Sequence, residues 1–263
     1  MKAQTSRRNR PKQHKNSRRT IQNSLQNSYR TDAQTAEIAK LAENTFRDIN
    51  IAFANQLALI CEQHGVDVTE VIKLANTHPR VNIHMPGPGV GGPCLPKDPY
   101  LLISKSKPTD HDIVKTARKI NDYMPKHIVN LIAKALKNAG KTVKNSKIAI
   151  LGTAYKANVD DPRLSPTEPI IRKLISLNAT VSVYDPRCSQ SFGAKKANSL
   201  HEAVKGADCL TIITDHTEFK NLNLQEIKAL MADKPAIIDG RRIINPKEAE
   251  RLGFLYYGIG LGK

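Results

Sequence analysis

No stretch of this 263-residue chain reaches the ~18 consecutive apolar residues that a membrane span needs. No secretory signal opens it, because the basic first residues are not followed by an apolar core. No Cys-x-x-Cys pair occurs. Cys61, Cys94, Cys188 and Cys209 lie far apart, which argues against zinc or another metal and for reduced thiols in the cytoplasm. Acidic residues are missing from residues 1–30, which hold nine Lys and Arg. Removing those nine lowers the net charge from +17 to +8, a balance suited to an anionic small molecule. No Phe, Tyr or Trp interleaves the basic residues from Lys2 to Arg19, so the segment reads as a disordered, solvated tail. A nucleic-acid arm is the weaker reading. The dinucleotide fingerprint G-x-G-x-x-G is missing where it would count, after a strand: "ILGTAYKANVDDPR" lacks it, and the one stretch with that spacing, Gly87 to Gly92, lies in a proline-rich loop.

What is present divides near Gly140. Before it, Ile38, Leu41, Thr45, Ile49, Phe53, Leu57 and Ile60 recur at three- and four-residue steps, which predicts a long amphipathic helix over 32–64. A second helix is expected from Val68, and a third over 110–139, broken or bent near Pro125. After Gly140, short apolar runs at 147–152, 180–186, 208–214, 236–240 and 255–260 read as strands. Helical stretches at 165–177, 199–205, 223–232 and 246–252 separate them. This alternation predicts an α/β chain: a helical half, then a Rossmann-like parallel sheet.

Between the second and third helices lies "GPGVGGPCLPKDP", Gly87 to Pro99, with four glycines, four prolines and Cys94. Glycine lets backbone approach a ligand and proline fixes φ. A helix opening at Pro96, together with Lys97, would favour a Cys94 thiolate, a nucleophile toward an aldehyde or acyl carbon. The bland alternative is a packing cysteine. Cys61 and Cys209 are expected to be shielded, and Cys188 exposed. Lys40 and Asn44 share one helix face and could move a proton and steady an oxyanion, or simply be solvated. Lys156 and Arg163 read equally as loop charges, and Arg241 as a charge at a strand end.

Four segments in order, "KLAENTFRDINIAFANQLALICEQHGVDVTEVIKLAN", "PRVNIHMPGPGVGGPCLPKDP", "LGTAYKANVDDPRLSP" and "IIDGRRI", resemble the UDP-glucose/GDP-mannose dehydrogenase family from about residue 32 to 263. "HMPGPGVGGPCLPKDPYLL" is most similar to members that act on UDP-N-acetyl-D-mannosamine. The resemblance implies NAD-dependent oxidation of a UDP-sugar C6 alcohol to the uronate, through a cysteine thiohemiacetal and thioester. It makes Cys94 the nucleophile, Lys40 the catalytic lysine, Asn44 its oxyanion- and water-holding partner, and Asp98 an aid to hydrolysis. It assigns to the substrate Arg80, the loop residues His84, Met85, Gly87, Gly89, Val90 and Gly91, and then Tyr155, Lys156 and Arg241. Lys97 and Arg163 would face the NAD. It implies a helical central domain over 31–140 that dimerises through the 32–64 helix, and a UDP-sugar-binding domain over 141–263.

Family members also carry an NAD-binding domain with the Gly-rich fingerprint, which this sequence lacks. The chain is therefore expected to be incomplete, with two readings open. One is a dehydrogenase completed by a separate NAD-binding chain. The other is a non-catalytic remnant that dimerises and binds a UDP-sugar.

Overall fold

The computed structural model describes residues 31–107 and 112–262. The expected basic tail of residues 1–30 lies outside the described residues, as do the first two residues of the helix expected over 110–139. The chain divides into two compact units, residues 1–40 and 41–263. Of the first, the described part is residues 31–40, all exposed, which open helix α1 (Ala33–His64). Asp32 caps it, accepting the Thr35 N–H at 2.9 Å.

In the second unit α1 continues and is followed by α2 (Val68–Ala75), α3 (Asp98–Ile103) and α4 (Asp112–Asn138). The face of α1 buried within the chain is not the apolar stripe. Of the seven stripe residues only Thr45 is buried, while Phe53 remains 52% exposed. Asn44, Asp48, Ala52, Ala54, Asn55, Ala58 and Cys61 are buried instead. Helix α4 supplies partners for the polar Asp48 and Asn55. Arg118 donates to Asp48 Oδ1 at 2.6 Å, Asn121 donates to the same oxygen at 2.8 Å, and Asn55 donates to Asn121 Oδ1 at 2.9 Å. Burial pushes the Asp48 carboxyl up against the pull of Arg118. Helix α4 runs unbroken through Pro125.

The rest alternates: β1 (Lys147–Leu151), α5 (Thr167–Ser176), β2 (Thr180–Tyr184), β3 (Lys195–Lys196), α6 (Leu200–Val204), β4 (Cys209–Ile212), α7 (Leu224–Leu230), β5 (Ala236–Asp239), α8 (Pro246–Arg251) and β6 (Leu255–Gly258). All strand pairs are parallel, in the order β3-β2-β1-β4-β5-β6. Successive strand residues point to opposite faces, so two clusters form. Ile148, Ile150, Val181, Val183 and Ile238 pack with Met124, Ile128, Ile132 and Leu136 of α4 and Ile170, Ile171 and Leu174 of α5. Ala149, Leu151, Leu210, Ile212 and Ile237 pack with Val204, Leu224, Ile227 and Phe254. Cover on both faces explains why these strands are apolar throughout. The order reverses between β1 and β4, and the crevice at that switch point is where sheets of this kind take ligands. Among the described residues no helix is long and apolar enough to cross a membrane.

Candidate functional site

The Gly/Pro loop reaches the carboxyl end of this sheet along an extended segment held by asparagine side chains. Asn50 Oδ1 accepts the His84 N–H at 2.8 Å, and Asn76 Oδ1 accepts the Ile83 N–H at 2.8 Å. Asn55 Oδ1 accepts the buried Gly87 N–H at 2.8 Å. An amide side chain can stand in for a strand partner because it carries both a donor and an acceptor. Through Asn121, Asn55 also ties the loop to the Asp48–Arg118 pair behind it. Sequence reasoning did not single out Asn50, Asn55 or Asn76. Asn50 and Asn55 lie inside α1 despite low helix propensity, and that was the signal available.

At Gly87 a Cβ would lie 3.0 Å from Arg241 Nη1, so the guanidinium passes directly beside the loop backbone. Gly89 sits beside Pro125 and Pro166, and Gly91 against the Leu164 carbonyl. Gly92 has φ 93°, and a Cβ there would lie 2.7 Å from Tyr155 Cε2. Its N–H donates to the Arg163 carbonyl at 2.9 Å. The loop is thus fastened to the segment after β1 (Tyr155, Arg163) and to the turn after β5 (Arg241). Arg241 is braced in turn. Its Nε donates to the Ile213 carbonyl at 2.7 Å, and its N–H donates to Asp239 Oδ1 at 3.0 Å. Burial lowers the Arg241 pKa, and Asp215, 3.7 Å from Nε, opposes that.

Cys94 is exposed just beyond the fastened glycines. The helix after it starts later than expected, at Asp98 rather than Pro96. The N–H groups of Lys97 and Asp98 donate to the Cys94 carbonyl at 2.9 and 2.8 Å, closing a turn ahead of the six-residue helix. Those donors are therefore committed to backbone, which removes the helix-terminus argument for a thiolate. Asp98 accepts from Asn44 Nδ2 at 2.5 Å. Lys97 is exposed.

The remaining predicted residues lie around this cluster or apart from it. His84 and Val90 are half-buried, Met85 and Lys156 are exposed, and Arg80 is exposed between α2 and the loop. Arg163 is exposed and paired with Asp161 at 2.6 Å. Lys40 is exposed at the end of the first unit. Cys61 and Cys209 are buried, and burial pushes the Cys209 thiol up to about 12. Cys188 is also buried, against expectation. Its N–H and that of Arg187 donate to Asp185 Oδ1, which turns the chain inward after β2.

A dinucleotide would need free N–H donors at the turn after β1. Those of Thr153 and Ala154 donate to Asp185 Oδ2 at 2.7 and 3.0 Å. The described residues therefore do not fit NAD at this turn, which also lacks the G-x-G-x-x-G spacing.

The site is thus a parallel sheet with a thiol-bearing loop laid on its carboxyl edge by a helical segment. Residues 34–123 match the central domain of the UDP-glucose/GDP-mannose dehydrogenase family, and residues 149–246 match its UDP binding domain. The chain belongs to that family. It is 48% identical over 232 residues to a UDP-N-acetyl-D-mannosamine dehydrogenase of Pyrococcus horikoshii, covering 88% of this chain and 53% of that protein. It is 39% identical over 203 residues to an NDP-N-acetyl-D-galactosaminuronic acid dehydrogenase of Ralstonia solanacearum, covering 76% and 47%. The solved structure of a UDP-D-ManNAc dehydrogenase from Pyrococcus horikoshii superposes with a TM-score of 0.84 at 45% identity, covering 94% of this chain and 57% of that one. The chain spans about half the length of the curated relatives it matches.

Proposed function

We propose that this chain supplies the sugar-nucleotide and thiol half of a cytoplasmic NAD-dependent UDP-sugar 6-dehydrogenase, acting on UDP-N-acetyl-D-mannosamine. The observation that carries the reading is the fastening of the Cys94 loop onto Tyr155 and Arg241, at the carboxyl end of the sheet. Arg241 and Lys156 are cations suited to a diphosphate, and Tyr155 gives a flat surface. The loop from His84 to Gly91 completes the surround of the sugar, and Arg80 reaches the nucleotide sugar across the dimer interface. The two hydrides of the alcohol-to-acid oxidation would go in turn to two molecules of NAD, held on a further domain or a separate chain, and Lys97 and Arg163, both exposed, would contact the cofactor there.

Within this chain, Cys94 Sγ adds to the C6 aldehyde and holds the carbon through the acyl stage. Lys40 manages the proton of the C6 oxygen, and Asn44 donates to that oxygen as charge develops. Asp98, linked to Asn44, orients the water that hydrolyses the thioester, leaving the uronate and a free thiol. The exposed apolar groove of Ile49, Phe53, Ile113 and Ile120 between α1 and α4, about 330 Å³, is the surface for a homodimer.

The test is titration calorimetry with UDP and UDP-N-acetyl-D-mannosamine, with iodoacetamide labelling of Cys94 in parallel. Micromolar binding that slows Cys94 labelling is expected, as is oxidation only when an NAD-binding domain is added. Failure to bind either ligand overturns the reading. The alternative is a non-catalytic UDP-sugar-binding dimer, and the filled turn after β1 is compatible with both readings. Binding without oxidation after that domain is supplied would select the alternative.

A further inference from the structure

His216 lies fully buried beyond β4 and has no part in the chemistry above. Its two ring nitrogens serve different elements. Nδ1 accepts the Asn158 N–H at 3.0 Å. A backbone N–H can only donate, so the ring is neutral with its proton on Nε2. Nε2 lies 3.0 Å from Asp185 Oδ2 and donates to it. That same oxygen accepts the N–H groups of Thr153 and Ala154. The far side of Asn158 is held too: its Oδ1 accepts the Thr217 N–H at 3.1 Å, and its Nδ2 donates to Thr217 Oγ1 at 2.9 Å. Phe219 closes over the imidazole edge-on, with ring centroids 5.5 Å apart.

Only Tyr155, Lys156 and Ala157 lie between the two anchored points, Ala154 and Asn158. One Asp185–His216 pair therefore grips both ends of that short segment. Strands β1, β2 and β4 are paired by their own ladders, and the pair adds no hydrogen bond between strands. Its bonds go to the loops after β1 and β2. We propose that Asp185 and His216 are positioning residues, which hold Tyr155 and Lys156 in their ligand-contacting shape before the nucleotide sugar arrives. The proposal rests on the reading that this segment meets the nucleotide sugar. A segment already ordered loses less freedom on binding, so the benefit appears as affinity.

The experiment uses the 263-residue chain with UDP as probe, combining titration calorimetry with hydrogen exchange resolved by peptide. In the wild type, the amides of 153–158 are expected to be protected without UDP and little further protected with it. His216→Leu removes both ring nitrogens. It is expected to weaken UDP binding at least 10-fold, with faster exchange confined to 153–163 and with β1 and β4 unchanged. UDP affinity kept within 2-fold, even with a lowered melting temperature, would mark a merely structural pair and overturn the proposal. If His216→Leu does not fold, the wild type decides. Exchange at 153–158 that is fast without UDP and slow only with it overturns pre-positioning. A wild type that binds no UDP while 153–158 stays protected sinks the nucleotide reading and supports the grip by Asp185 and His216.

Discussion

Asn44 in the long helix and Asp98 at the start of the helix after Cys94 are joined side chain to side chain at 2.5 Å, across 54 residues of sequence. The amide donates and the carboxylate accepts, so the bond fixes which group carries the charge. Asn44→Asp would set a second carboxylate against the first. It is expected to lower the melting temperature more than Asn44→Ala does, because like charges at this distance cannot both ionise freely. Thermal melts at pH 7 check it. Equal melting temperatures at pH 7 would deny the contact.

Gly92 lies against the Tyr155 ring, where an added Cβ would be 2.7 Å from Cε2. Gly92→Ala meets both the left-handed φ and the Tyr155 ring, and is expected to cost about 1–3 kcal/mol. For a chain of this size that is several degrees of melting temperature. Tyr155→Ala in the same chain should recover part of the loss, leaving only the backbone strain. Additive effects in the double-mutant cycle would show that the two residues do not touch.

Iodoacetamide should sort the four thiols by access. Cys94 is exposed, while Cys61, Cys188 and Cys209 are buried. Burial also raises the thiol pKa of Cys61 and, furthest, of Cys209. Mass mapping under limiting reagent at neutral pH is expected to find Cys94 alkylated first and Cys209 last. Early modification of Cys188 would place it at the surface.

Burial alone would raise the Asp185 carboxyl. The hydrogen bonds from His216 and from the Thr153, Cys188 and Ala154 N–H groups outweigh it and hold the group well below the usual carboxylate range. A depressed carboxyl contributes stability that is present above its unfolded pKa and lost as pH falls toward the folded one. The stability difference between wild type and Asp185→Asn is therefore expected to be largest near neutrality and to narrow below about pH 4. Urea titrations across pH 3–7 measure it. A gap that widens on acidification would reverse the sign.

Phe53 is 52% exposed beside Ile49 and Ile113 on the α1–α4 groove. If that groove pairs two copies, Phe53→Glu should convert a dimer to a monomer in sedimentation at micromolar protein, with melting temperature little changed. A wild type that sediments as a monomer at this concentration would remove the groove as an interface.

Much of the sheet was legible because each buried parallel strand announces itself as a short apolar run between turns. Strand β3 was not, since Lys195–Lys196 is two residues long with no apolar signal. On α1 the period is legible, but the face that packs within the chain is a second one, of small and polar residues. Asp48 and Asn55 look solvated until Arg118 and Asn121, more than 60 residues away, are brought against them. The Cys94 loop stood out by its glycines and prolines, yet the start of the next helix depended on which N–H groups the Cys94 carbonyl captured. Cys188 looked exposed because nothing local shows that Asp185 folds the chain inward. His216 has no local pattern at all, as its partners come from three separate turns.

Asp185 also constrains how this sheet can change over generations. Its carboxylate alone receives four backbone N–H groups, those of Thr153, Ala154, Arg187 and Cys188. A substitution that removes the carboxylate strands the N–H groups of Thr153, Ala154 and Cys188 at once, at about 1–3 kcal/mol each. A turn after β1 that gripped phosphate would need the first two of those donors back, so in this sheet anion binding at that turn and the fastening of the chain after β2 compete for one set of hydrogen bonds.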